Sequence, residues 1–148
     1  MRAINHALTG AVIGLSLPAP VAIPLAFVSH FVLDAIPHQG SEAMVPKNKI
    51  FTVTLIVDAI LCVLLVLVLG LTSTDNWFIP SLCAFLGTSP DLMWLNNYRQ
   101  MKQGKPQPHT DNWLLRFHSW IQWYERPLGL ITEVVWAPAM IMLMIARI

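Results

Sequence analysis

Charge is what this sequence has least of. Lys, Arg, Asp and Glu make up 11% of its 148 residues, against about 25% in an ordinary soluble domain. The 9 basic and 8 acidic residues leave a formal net charge of +1, so there is no polybasic surface of the kind nucleic acid requires. Cysteine is also scarce. Cys62 and Cys83 lack CxxC spacing, which speaks against a zinc knuckle or a disulfide and for two thiols buried in apolar stretches. With 55% hydrophobic residues and a mean hydropathy of +0.59, the sequence reads as one whose solvent is lipid. It is expected to form a single transmembrane domain over 1–148, an all-α polytopic integral membrane bundle of about five spans plus one interfacial helix.

The first segment, about Ala3 to Leu17, carries Gly10 and Gly14 at a spacing that suits close helix packing. It has a single Arg2, a histidine within the apolar run and no clear cleavage site, so it is expected to be retained rather than removed as a signal peptide. Pro18-Ala-Pro20 reverses the chain, and Val21 to Ile36 returns, with Pro24 in its first turn. Both segments fall short of the roughly 20 residues of a full span and are open to a re-entrant reading. Ile50 to Leu71 is the strongest transmembrane candidate, with Asp58 as its one charge. Trp77 to Asn96 is another, interrupted at Gly87-Thr88-Ser89-Pro90-Asp91. Three tryptophans between Trp113 and Tyr124 suggest an interfacial helix with indoles at headgroup level, an anchor rather than a substrate platform. Pro127 to Ala146, bearing Glu133 and broken by Pro138, makes the last span.

With five crossings and a cytoplasmic N-terminus, Arg2, Lys47, Lys49, Arg99, Lys102, Lys105, Arg116 and Arg126 all lie on the cytoplasmic side and only Arg147 outside, as the positive-inside rule requires. At 1.5 Å per residue, His6, His30, Asp34, Asp58, Asp91 and Glu133 then lie roughly 5 to 12 Å from the cytoplasmic ends of their helices. His38 and His118 flank the same face. All the intramembrane ionisable groups therefore share one layer.

The stretch His30 to His38 concentrates that chemistry. His30 and Asp34 stand one helical turn apart on one face, and Pro37 ends the helix so that His38 can curl back. Ionisable side chains in lipid cost several kcal/mol unless paired, hydrated or coordinated. Imidazoles mixed with carboxylates suit a divalent transition ion, zinc or manganese first. The metal candidates are His6, His30, Asp34, His38, Asp58 and His118, enough for one or two ions per chain. A metal site of this kind lowers the pKa of bound water and polarises a phosphoryl oxygen, so hydrolysis is the economical reaction class. Asp91 or Glu133 is the candidate general base, and Arg116 the candidate phosphate contact. Each also has a structural reading: hydrogen-bonding histidines at 6 and 118, a packing contact at Asp58, a helix cap at Asp91, and an ion pair of Glu133 with Arg126 or Arg116.

His6 in a glycine-containing helix, Ser29-His30 to Asp34, Pro37-His38 and Pro90-Asp91 together resemble the membrane-bound metal-dependent hydrolase family, a group of small inner-membrane proteins. The resemblance covers roughly the first two-thirds of the chain. It implies a polytopic protein of a bacterial or archaeal cytoplasmic membrane whose ligands are His6, His30, Asp34, His38 and Asp91. Of the family's His-Arg segment leading to Thr-His-Ser, Arg116-Phe117-His118-Ser119 keeps the His-Ser part. Membrane lipids are the expected surroundings, and the location of the polar layer at the cytoplasmic face, rather than the resemblance, makes a phosphate ester such as a phospholipid or isoprenoid phosphate the expected kind of substrate. Two other classes fit the same residues: a non-catalytic membrane protein that binds or moves a metal ion or proton, and a small subunit of a larger membrane complex. The outer halves of the spans lack ionisable groups, so no continuous polar path favours transport.

Overall fold

The computed structural model describes residues 1–39, 48–72, 75–104, 112–123, 125, 126 and 128–148. Lys47, Lys105, His109, Tyr124 and Pro127 lie outside the described residues. The described chain is all-α, in the order α1 (Ala3–Ser16), α2 (Ala19–Asp34), α3 (Lys49–Thr72), α4 (Phe78–Thr88), a 3₁₀ turn (Ser89–Trp94), α5 (Leu95–Lys102), α6 (Trp113–Ile121) and α7 (Gly129–Ile145). The one extended contact among the described residues is an isolated parallel bridge between His38 and Glu125.

Helix boundaries follow local chemistry. Pro18 takes an extended N-cap conformation and Pro20 sits in the first turn of α2, where its fixed φ favours helix and its missing amide costs nothing. The helix thus starts at Ala19, earlier than expected, and Pro24 falls in its second turn. It stops at Asp34 because Ile36 precedes Pro37, and a residue before proline is pushed out of the helical region. The expected span Trp77 to Asn96 does not run through as one helix. Pro90 has no amide to donate, and the hydroxyls of Thr88 and Ser89 fold back onto the carbonyls of Phe85 and Leu86, each at 2.9 Å. The chain tightens there into the 3₁₀ turn that carries Asp91.

Only α3, with 24 residues, is long and apolar enough among the described residues to cross a membrane; at 1.5 Å per residue it reaches about 36 Å. Helices α1, α2 and α7 have 14, 16 and 17 residues, and α4 only 11.

The most hydrophobic helix is not the central one. Helix α1 packs against α2, α3, α4 and α7, and its seam with α4 is closest. A Cβ on Gly10 would stand 2.2 Å from the Cys83 carbonyl oxygen, so no larger residue fits that crossing. Ala7, Leu8, Ala11, Leu65, Leu69, Ala84 and Met144 form the main apolar core, and Ala22, Ala26 and Cys83 a second small one. Both cysteines are free, Cys83 buried and Cys62 partly so.

Candidate metal centre

Four side chains from three separate elements meet between α2, α6 and the 3₁₀ turn. His30 and Asp34 come from the last turn of α2, Asp91 from the 3₁₀ turn and His118 from α6. One ligand atom of each lies within 4.8 Å of every other. His30 Nε2 is 3.0 Å from His118 Nε2 and 3.2 Å from Asp34 Oδ2. His118 Nε2 is 2.9 Å from Asp34 Oδ2, and Asp91 Oδ1 stands 3.6 and 3.7 Å from the two histidine nitrogens. Ligands bonded to zinc at about 2.0 Å in a tetrahedron are about 3.3 Å apart. These spacings bracket that value, so the group could hold a metal ion.

The surroundings orient the group. His30 Nδ1 must donate to the Gly87 carbonyl oxygen at 2.8 Å, because a carbonyl only accepts; neutral His30 therefore presents a lone pair at Nε2. Gly87 is required there: a Cβ would lie 2.6 Å from the His6 carbonyl oxygen. His118 differs, since its Nδ1 accepts from the Trp94 indole N–H at 3.2 Å, which puts the neutral ring's proton on Nε2, facing Asp34. For a cation to bind at that nitrogen the proton would have to move to Nδ1, since the histidine ligand is the neutral ring, and the Trp94 hydrogen bond would then be given up. Gln122, one turn after His118, donates to Asp34 Oδ2 at 3.3 Å. His30, Asp34 and His118 are fully buried, whereas Asp91 has 35% of its side chain exposed.

His6 belongs to the edge of this centre. Its ring stacks on His30 with centroids 4.0 Å apart, and its Nε2 lies 3.2 Å from Asp34 Oδ1. Both its nitrogens are buried without a hydrogen-bond partner among the described residues. Such orphaned polar atoms are costly in a packed interior, and imidazole nitrogens beside a carboxylate fit a cation. Asp34 Oδ1 also accepts from the Met1 amine at 2.6 Å.

The remaining candidates stand apart from the four-residue group. Asp58 caps α1 from outside, accepting from the amides of Ala3 at 2.7 Å and Ile4 at 3.1 Å; the carboxylate meets the positive end of that helix and two of its four orphan donors. Glu133 accepts from the Gln39 amide at 2.9 Å and pairs with Arg2 at 3.4 Å, not with the arginines expected from sequence. His38 leaves α2 after Pro37 but curls toward Glu125, at 3.7 Å, rather than toward His30 and Asp34. Arg116 is exposed. Positions 116 and 118 differ by about 200° around a helix, so burying His118 turns Arg116 outward.

Sequence reasoning passed over Gly87 as an orienting group, Trp94 and Gln122. The spacing of Gln122 one turn after His118 was the available signal; nothing local marks the other two, because their roles depend on how α4 and the 3₁₀ turn fold over α2.

No family model matches the chain, and neither a curated protein nor a solved structure matches it, so the functional reading rests on the geometry of this centre.

Proposed function

We propose that the chain is a multi-pass membrane protein that binds a divalent ion through His30, Asp34 and His118, with Asp91 beside them as the candidate base, and hydrolyses a phosphate ester presented at the cytoplasmic face. The observation that carries this reading is the convergence of four side chains from three separate elements, with one ligand atom of each within 4.8 Å of every other. Two imidazoles with a carboxylate suit zinc, with manganese next. His6, whose Nε2 lies 3.2 Å from Asp34 Oδ1, is a further donor, or the start of a second ion's site with Asp34 as the bridge. The sequence resemblance to the membrane-bound metal-dependent hydrolases points the same way.

Multi-pass insertion is supported by where the apolar surface lies. On α2, Val21, Leu25, Val28 and Val32 form an exposed stripe opposite buried Ala22, Ala26, Ser29 and His30; on α7, Ile131, Val134, Val135 and Met142 are likewise exposed. Apolar faces of this extent belong against lipid or protein, not water. Trp113, Trp120 and Trp123 are exposed around α6, as an interfacial helix would place them. The excess of basic residues in the loops assigned to the N-terminal side supports a cytoplasmic N-terminus.

In the reaction, a bound divalent ion would supply a water of lowered pKa and polarise the phosphoryl oxygen. The chain's own groups divide the remaining work. His30 is held by Gly87 with its lone pair inward, Asp34 offsets positive charge, and Asp91, the most open member, marks the side from which substrate arrives and is the candidate base. Water adds to phosphorus, the ester oxygen leaves with the proton, and the products are an alcohol and a phosphate.

One observation favours a second reading. With Asp91 as a fourth ligand a tetrahedral ion is complete and has no position for water, the pattern of structural zinc; the ion would then fasten α6 onto α2 without turnover. Elemental analysis of the detergent-purified protein tests both. One or two equivalents of zinc or manganese, with release of phosphate from lipid phosphates, supports the hydrolase; bound metal without turnover supports the fastener. A protein that stays metal-free after incubation with either ion removes both.

A further inference from the structure

We infer that the cleft between α3 and α4 holds the hydrocarbon chain of the substrate, so that the ligand class is a lipid with an anionic phosphate head. This rests on the metal reading for the position of the head. The cleft has a volume of about 280 Å³ and is lined by Ala7, Cys62, Val66, Ala84, Phe85 and Thr88, among others. It offers a ligand almost nothing polar. The Thr88 hydroxyl donates to the Phe85 carbonyl oxygen at 2.9 Å, which turns its one hydrogen inward. A cleft that cannot hydrogen-bond selects hydrocarbon.

The cleft leads toward the metal centre. Ala84, Thr88 and Asp91 fall at i, i+4 and i+7, one stripe of α4 and the turn that continues it. Thr88 adjoins Gly87, whose carbonyl holds His30 at 2.8 Å, and Ala7 adjoins buried His6. Asp91, at the end of that stripe, is the partly exposed member of the four-residue group. A chain lying in the cleft thus brings its head to the open side of the centre.

The occupant is a lipid chain rather than a protein helix. A helix with its side chains is about 10 Å across, too wide for a space of about 280 Å³. The lips of the cleft, Val63, Leu67 and Phe85, are more than half exposed, and one wall is α3, the helix suited to cross the bilayer. The acyl chains of membrane lipid are what such a mouth opens onto.

The test uses the full chain reconstituted in phosphatidylcholine vesicles with a trace of either phosphatidic acid or a polyprenyl phosphate. Each carries a diazirine in its hydrocarbon chain, and the cross-linked residues are mapped after photolysis. Labelling should concentrate on Cys62, Val66, Phe85 and Thr88 over the lipid-facing Val53, Ile56 and Ile60 of α3. Cys62→Trp should lower it about tenfold, the effect of displacing roughly two buried methylenes, while bound metal is unchanged. Val66→Phe replaces that variant if it fails to accumulate. The probe that labels more strongly identifies an acyl or a prenyl chain. Labelling spread evenly along the exposed face of α3, or undiminished in a filled-cleft variant that still binds metal, overturns the proposal. A wild type that labels at the cleft but binds no metal would instead remove the hydrolase reading and leave the lipid cleft.

Discussion

Asp34 and Asp58 are both nearly buried acids, each on an apolar helix and each expected from sequence to bind metal, yet the fold gives them different work. Asp34 faces three imidazoles, those of His6, His30 and His118. Asp58 faces two backbone amides at the start of α1. Glu133 sides with Asp58, since its partners are a backbone amide and Arg2. An acid in an apolar setting must find a partner, but whether that partner makes it a ligand or a cap is settled by the groups on the neighbouring element.

The contrast is broken most forcefully at the centre itself. The double variant His30→Ala, Asp34→Ala should lose metal almost completely, by more than the roughly 100-fold that outer-shell changes cost, with the protein still inserting; elemental analysis beside the wild type reads this directly, and retained metal would show that the centre is misassigned. Next comes Gly87→Ala. Its Cβ would collide with the His6 carbonyl oxygen and move the acceptor that orients His30, so metal affinity should fall by about 10- to 100-fold in a competition titration with a chelating dye.

Asp58→Asn supplies the opposite arm. Removing the charge and one or both cap bonds should cost about 0.5–2 kcal/mol of stability, seen as a lower melting temperature in detergent, at unchanged metal stoichiometry. Metal loss there at an unchanged melting temperature would make Asp58 a ligand after all. Smallest is Arg116→Ala. An exposed side chain away from the centre should change stability by no more than about 0.5 kcal/mol and leave phosphate release close to wild type; a large drop in kcat would return Arg116 to the phosphate-binding role that its place beside His118 first suggested.

Regions also differ in what hydropathy reveals. Helix α3 is the most conspicuous stretch of the sequence, yet of its 24 residues only Asp58, Leu65 and Leu69 are buried. Helix α1, shorter and interrupted by Asn5 and His6, buries both of those polar residues. The most apolar face of this fold turns outward, and small and polar residues make its interior, the arrangement that packing in lipid would favour. Hydrophobic runs therefore located the helices but pointed away from the centre.

The sequence by itself determined that the chain is helical, where most helices begin and end, and that His30 and Asp34 share a face. Those are properties of local spacing, proline placement and apolar runs, which act over one or two turns. Only the tertiary structure decided which acids and histidines meet. Asp91 and His118 join a site 57 to 88 residues away from their partners, while Asp58, Glu133 and His38 find nearer obligations in a helix start, an arginine and a loop. Whether a polar side chain becomes a ligand depends on its distance from others like it, and in a folded chain that distance is set by helix packing, above all by the glycine-lined seam that brings α4 against α1.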